Sequence, residues 1–272
     1  MTTTDQELIN IREVTDTEVT SYWDKGWAYL PQLIEPSLCD ELLQHAKVLM
    51  GESGADHEPR EGEQDIAFFT QFDWPGEEDS LFSAVALDPR LGRNAARLLG
   101  SDISVRILAN MIAVKLPRDL ETNRSGKGES LFHQDQISAP FRGMNVVIWI
   151  ALTEITPEMG AMRFYEGSHK LGWLSGDPLE WPRVHDECPL SEPLHYMPGD
   201  ATAHGSLTIH GAPENESKNP RWAFIANYFP ADALYSGNPS YWTKRVQDDL
   251  EIGKPLEQAP FSVVYEPAKA SS

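Results

Sequence analysis

Beyond residue 103 the chain becomes a succession of short β-rich segments, and this restricts its fold more than any other feature. Residues 103–116 are apolar and rich in β-formers. Residues 144–152 (Met-Asn-Val-Val-Ile-Trp-Ile-Ala-Leu) form a nearly continuous apolar run, the pattern of a strand covered on both faces. Shorter segments follow the same reading at 131–136, 161–165, 194–197, 201–209, 223–229 and 261–265. Turn signals separate them: Pro157-Glu-Met-Gly160, Gly167-Ser168, Pro198-Gly-Asp200 and the stretch 213–220. Many short strands at such spacing predict a sandwich or barrel. Two polar or Pro-rich insertions, 117–130 and 171–193, are long enough to be functional loops.

The first hundred residues read as mainly helical. Glu35-Pro36 opens one helix, with Leu38, Leu42, Leu43, Ala46 and Leu49 at helical spacing and Gly51 at its end. Asp88-Pro89 opens another, with Leu91, Ala95, Leu98 and Leu99 on one face, and a shorter helix is predicted over 17–25. The stretch 51–79 is acidic and holds Phe68, Phe69, Phe72 and Trp74. It reads either as a loop covering a site or as aromatics anchoring a long loop. Helices first and strands later give an α+β chain, mainly β. The expectation is one domain over 1–272, with 1–100 as helical support and 101–272 as the barrel.

The charge narrows the partners. Forty-two acidic against 22 basic residues leave a formal net charge of −20. That argues against nucleic acid, against an anionic membrane surface and, less strongly, against a multiply phosphorylated substrate. A local basic pocket remains compatible, since exposed charges are screened beyond about 8 Å. The acidity can also serve solubility alone. No apolar run approaches the roughly 20 residues that cross a bilayer, and Met1-Thr-Thr-Thr-Asp-Gln-Glu7 lacks the features of a signal peptide. With only Cys39 and Cys188, a reducing cytoplasm is the expected setting.

Chemistry enters at His133-Gln134-Asp135, followed by His210 and Arg221. On a strand, His133 and Asp135 share a face with α-carbons about 6.6 Å apart, close enough for one metal. A second histidine from another strand completes a two-histidine, one-carboxylate face, which suits non-haem Fe(II) with positions left open. Arg221 offers a two-pronged fork for a carboxylate. In a chain with eight His and 42 acids, a His-x-Asp pair also arises by chance. The order and the strand placement of all four residues carry the argument. Two rival readings use the same residues: a zinc hydrolase with a metal-bound water, and a barrel that binds a small molecule without turnover. His204, six before His210, reads as a packing or supporting residue, and His169 as structural in a turn. His45, His57, His185 and His195 read as surface or hydrogen-bonded residues.

Around these residues the chain resembles the phytanoyl-CoA dioxygenase family of Fe(II)/2-oxoglutarate oxygenases. The similar parts are Phe132-His-Gln-Asp135, Val147-Ile-Trp-Ile-Ala-Leu152, Glu158-Met-Gly-Ala-Met162 leading to Gly167-Ser-His169, Pro198-Gly-Asp200, and His210-Gly-Ala-Pro-Glu-Asn215 with Ser217 and Arg221. Gly26-Trp-Ala-Tyr-Leu-Pro31 resembles the family's start. One departure is Glu166, where the family often has Pro. The resemblance implies a double-stranded β-helix, a jelly-roll or cupin-like barrel with the metal in its mouth. It implies His133, Asp135 and His210 as iron ligands, with 2-oxoglutarate and O2 as co-substrates. Arg221, helped by Ser217, would hold the distal carboxylate of 2-oxoglutarate, and Lys115 would also touch it. Retention of Asp135 speaks against halogenation, for which relatives carry a small residue there. The outcome after hydrogen abstraction is left open between hydroxylation, cyclisation, epimerisation and desaturation. Family members of similar size include tailoring enzymes of bacterial antibiotic pathways, so a small organic substrate is expected. Phe72, Trp74, Phe141 and Trp181 are the residues expected to touch it, with core packing an equal reading for each. The oligomeric state is not readable.

Overall fold

The computed structural model describes residues 10–54, 69–73 (backbone only), 81–100, 103–117, 128–174, 176–238, 240, 243–244, 246–257 and 261–268. Most of its α-helices lie in the first hundred residues. Helix α1 (Asp16–Lys25) begins with a capping box in which Thr15 accepts from the Glu18 amide and the Glu18 carboxylate from the Thr15 amide. It ends at Gly26, whose φ of 86° is the left-handed conformation that glycine adopts freely. Helix α2 (Pro36–Met50) has proline in its first turn and buries Leu38, Cys39, Leu42, Ala46 and Met50. The four-residue stride carries the stripe to Met50, so Leu49, expected on it, is 48% exposed. Two further helices follow, α3 (Leu81–Ala86) and α4 (Pro89–Leu99). Within α4, fully buried Asn94 accepts from the Val14 amide and donates to the Arg12 carbonyl, tying the helix to the N-terminal segment.

The strands are β1 (Trp27–Leu30), β2 (Phe69–Asp73), β3 (Val105–Lys115), β4 (Ser130–His133), β5 (Val146–Ala151), β6 (Arg163–Phe164), β7 (Ala201–Gly205), β8 (His210–Ala212), β9 (Arg221–Pro230) and β10 (Val263–Tyr265). A short helix, α5 (Pro182–Glu187), lies between β6 and β7. Seven strands form one sheet in the order β1-β7-β5-β9-β3-β10, with β2 also paired to β3. The other sheet is β4-β8-β6. All named pairs are antiparallel. This is the double-stranded β-helix: a large sheet curling over a small one.

The two faces of the large sheet explain its apolar runs. On the outer face, Val146, Ile148 and Ile150 of β5 join Trp222, Phe224, Ala226 and Tyr228 of β9 in a core packed with the helices. On the inner face the alternate residues, Val147 and Trp149 of β5 and Arg221, Ile225 and Asn227 of β9, line the barrel cavity.

The structure corrects several expected elements. The first hundred residues supply two strands of the large sheet, β1 and β2, besides the helices. The segment 131–136 is not one strand. β4 stops at His133, and Asp135–Ser138 is a 3-10 turn. The segment 201–209 splits into β7 and a turn, so His210 opens a strand of the opposite sheet. Segment 194–197 contributes only an isolated bridge, Tyr196 to Ile155.

Candidate metal centre

The centre lies where the two sheets face each other. β4 ends at His133, β8 begins at His210, and the two are register partners in the small sheet. Their ring centroids are 4.4 Å apart. Asp135 reaches the same point from its 3-10 turn. Its Oδ1 lies 3.3 Å from His133 Nε2 and 3.8 Å from His210 Nε2. One donor atom from each of the three residues lies within 4.8 Å of the other two. Gln134 between them points away, as alternation predicts, and its buried amide is fully used. It donates to the Gly172 and Leu207 carbonyls and accepts from the Leu174 amide. That anchor fixes the backbone from which both neighbours project.

The tautomers suit a cation. Nδ1 of His133 lies 2.7 Å from the Leu131 carbonyl, and Nδ1 of His210 lies 3.0 Å from the Thr208 carbonyl. Each ring therefore donates from Nδ1 and turns its Nε2 towards Asp135, where the neutral ring carries a lone pair. Two imidazole lone pairs converging on a carboxylate oxygen repel unless a proton or a cation sits among them. Burial pulls His210 down to about 3, with His204 adding to the effect. At Asp135 burial works the other way, but the charges of His210 and His133 and hydrogen bonds from His133 and His204 hold the carboxyl well below its ordinary range. At His133 burial lowers the pKa, but the Asp135 hydrogen bond and charge leave it raised. With that proton displaced by a cation, the trio offers two nitrogens and an anion, the donor set of a divalent transition metal.

A third histidine belongs to the cluster. His204 of β7 is 2% exposed, and its Nε2 lies 3.4 Å from Asp135 Oδ2. Its ring centroid is 4.2 Å from that of His210. It faces the carboxylate oxygen turned away from the other two rings, and so supports Asp135 from the sheet opposite.

Arg221 opens β9 and lines the same cavity, of about 540 Å³. It is 3% exposed. Its Nη1 donates to the Gly160 carbonyl at 2.6 Å, its Cζ lies 5.4 Å from the Trp149 ring centroid, and its Nε has no partner. Burial pushes it down to about 10. Among the described residues no carboxylate forms an ion pair with it, although the chain holds 42 acidic residues. A buried cation without a counter-ion is costly, so the pocket is built to receive an anion. Gly160 stands close by necessity. Its φ is +73°, and a Cβ there would meet the Pro213 carbonyl at 2.4 Å.

Lys115, Ser217, Phe141 and Trp181 fall outside the cavity lining. Lys115 pairs with Arg221 in the β3–β9 register but is fully buried outside the cavity lining, its Nζ donating to the Ala212 and Pro213 carbonyls. Ser217 is not part of the cavity lining either. Its hydroxyl is held by Asn215 Oδ1 and the Asn219 carbonyl in the turn before β9. The side chain that locks this turn to β3 is buried Asn215, which donates to the Lys115 carbonyl. Phe141 is stacked on Phe229, centroids 4.6 Å apart, in a separate apolar cluster. Trp181 is 40% exposed at the start of α5 and outside the cavity lining. Phe72 lies opposite Met111 in the β2–β3 register, where only the backbone is described, and Trp74 lies outside the described residues. Sequence reasoning missed Gly160, Trp149 beneath Arg221, and the amides Asn145 and Asn227. Alternation along β5 and β9 was the signal that could have found the last three.

Lys115 gives a pH-dependent expectation. Burial pushes its ammonium down to about 6, with the Arg221 charge adding and Glu129 and Glu214 opposing. An unfolded lysine titrates near 10.4. Between those values the unfolded chain binds one more proton, so stability rises with pH. The melting temperature is expected to climb between about pH 6.5 and 8.5, below the range where unfolded thiols ionise. Lys115→Met should flatten that climb. Equal slopes in the two proteins would show that Lys115 is not held neutral.

Comparisons with known proteins agree with this layout. A sequence profile described as Phytanoyl-CoA dioxygenase (PhyH) matches residues 22–223. The chain is 29% identical over 124 residues to a methylphosphonate hydroxylase of Gimesia maris, a match spanning 42% of this chain and 43% of that protein. Among solved structures it is similar to the non-haem alpha-ketoglutarate-dependent epimerase SnoN from nogalamycin biosynthesis, with a TM-score of 0.79 at 23% identity over 94% of this chain and 98% of that one. The carbocyclase SnoK from the same biosynthesis gives 0.74 at 23% identity over 93% and 99%. EctD from S. alaskensis gives 0.67 at 18% over 89% and 85%. At these identities the structural likeness speaks for the fold.

Proposed function

Because the chain belongs to the phytanoyl-CoA dioxygenase family, we propose that it is a non-haem Fe(II)/2-oxoglutarate-dependent oxygenase acting on a small organic substrate. One observation carries the reading: a single cavity holds both the His133–Asp135–His210 face and a buried guanidinium with no anionic partner among the described residues. His133, Asp135 and His210 would hold the iron, and Arg221 would clamp the distal carboxylate of 2-oxoglutarate. Iron held there would supply, with O2 and 2-oxoglutarate, the oxidising power to take a hydrogen atom from a substrate, with succinate and CO2 as co-products. The protein's own part is orientation and shielding. The Gly160 carbonyl fixes one arm of the guanidinium, and the Trp149 ring covers its face. His204 restrains the second oxygen of Asp135.

The likeness to an epimerase and a carbocyclase supports a tailoring reaction in secondary metabolism, and the net charge of −20 speaks against nucleic acid or an anionic membrane as the partner. No helix among the described residues is long and apolar enough to cross a membrane. The product distinguishes the outcomes by mass: gain of one oxygen for hydroxylation, loss of two hydrogens for cyclisation or desaturation, no change for epimerisation. A zinc hydrolase would use the same three ligands but gives no role to the unpaired Arg221. The test is anaerobic addition of Fe(II) and 2-oxoglutarate to metal-free protein. A weak visible charge-transfer band is expected, and it should vanish in His133→Ala. No band together with undiminished metal-dependent hydrolysis would sink the oxygenase reading.

A further inference from the structure

The inner face of the large sheet carries a second polar feature, at the opposite end of the cavity from Arg221. Asn145, just before β5, and Asn227 of β9 both line the cavity. They are 1% and 8% exposed. Asn145 Nδ2 donates to Asn227 Oδ1 at 2.6 Å, and Asn145 Oδ1 is buried with no partner. Buried amides left unsatisfied are costly. The cavity lining also includes the apolar Leu108, Met111, Leu131, Val147 and Ile225, besides Glu129, Ser130 and Ser138.

Strand register places this pair relative to the metal centre. Val147 is the β5 partner of both His204 and Asn227. A row across the sheet therefore runs from His204, which abuts Asp135, through Val147 to Asn227. Trp149, one inward position further along β5, lies against Arg221, and Asn145 lies one inward position the other way. Along β5 the inward order is Asn145, Val147 at the metal level, and Trp149 beneath the guanidinium, in steps of about 6.6 Å. Asn227 stands in the middle row and reaches back to Asn145, so Asn145 and Arg221 lie on opposite sides of the metal level.

We propose that the Asn145–Asn227 pair is a substrate-recognition subsite that lodges a neutral hydroxyl of a largely apolar substrate. The reasoning does not depend on which way the amides are turned. Two amides joined by one hydrogen bond always leave one carbonyl oxygen and one NH2 group free. A hydroxyl complements both, because it donates to the oxygen and accepts from the nitrogen. An ether offers only an acceptor and an ammonium only donors. The group held there is a handle: the C–H to be oxidised lies nearer His133 and Asp135, on the part of the substrate that reaches the metal level. The proposal rests on the oxygenase reading of the same cavity, but its test does not use turnover.

The full chain is titrated with three matched probes, 2-naphthol, its methyl ether and naphthalene, by calorimetry. The alcohol is expected to bind about tenfold more tightly than the ether, a discrimination of about 1.4 kcal/mol. In Asn145→Ala the alcohol and the ether should bind alike. Asn227→Leu, which removes the pair while filling space, repeats the test should the first variant fail to fold. Equal binding of alcohol and ether by the unaltered chain, no binding of the alcohol, or a preference that persists in a folded variant would each overturn the subsite. These results are independent of the charge-transfer band, so loss of the hydroxyl preference and loss of the oxygenase reading are separate findings.

Discussion

Arg221→Gln is expected to raise the KM for 2-oxoglutarate by about 100-fold while leaving the fold intact. The guanidinium is buried, one arm rests on the Gly160 carbonyl, and its Nε is unpartnered. A carboxylate entering the cavity would meet the remaining donors as a fork. Two charge-assisted hydrogen bonds of about 1.5 kcal/mol each give about 3 kcal/mol, which is roughly the 100-fold change. Glutamine keeps a donor but loses the charge and the fork. Arg221→Lys keeps the charge and loses the geometry, so a loss of about tenfold is expected. Stability separates this from simple core damage. Most buried replacements lower the melting temperature. Here the replaced group is a buried cation without an ion-pair partner among the described residues, so the melting temperature of Arg221→Gln should hold or rise. Initial rates against 2-oxoglutarate concentration, with a thermal melt of the same samples, decide the matter. An unchanged KM would remove Arg221 from the co-substrate site.

The sequence made the chemistry legible more readily than the backbone that delivers it. His133, Asp135 and His210 stood out by type and order, and the structure brings them together. The route was different from the one alternation suggests. Asp135 is carried by a 3-10 turn, because the Gln136 amide donates to the Ser206 carbonyl and Gln134 is spent on the segment 172–174 and on Leu207. Those partners lie about 40 to 70 residues away, beyond any local pattern. Long apolar strands such as β5 were readable because both faces are covered. β1 was not, since four residues after a helix acquire strand character only by pairing with β7. Phe141 shows the limit for substrate contacts. Six residues from Asp135, it turns to Phe229, because an aromatic ring goes where apolar surface is available, whatever its distance in the chain.

Asp135→Ala is expected to abolish Fe(II) binding at working concentrations and, with it, all 2-oxoglutarate-dependent turnover. Among the described residues Asp135 is the anion that faces three imidazoles, at 3.3 Å from His133, 3.4 Å from His204 and 3.8 Å from His210. Removing one charged partner from such a site costs about 4 kcal/mol, or about a thousandfold in affinity. The three imidazoles that remain are a softer, uncharged set, better suited to zinc or copper than to Fe(II). Ligand-induced stabilisation therefore gives a two-metal readout. Fe(II) should raise the melting temperature of the wild type and not of Asp135→Ala, whereas zinc should still stabilise the variant. The metal-free proteins provide the complementary sign. At His133 burial lowers the pKa, but the Asp135 hydrogen bond and charge outweigh it and leave it raised. Its contribution to stability is thus full below the unfolded value near 6.5 and fades as pH rises through the folded value. Asp135, held well below its ordinary range, contributes above about pH 4. The two overlap between about pH 4 and 6.5, so the deficit of the metal-free variant relative to wild type should be largest in that window and shrink as the pH rises through the folded value of His133. An Fe(II)-dependent rise in melting temperature retained by Asp135→Ala would mean that the metal is held by other residues, and the assignment of the centre would fall with it.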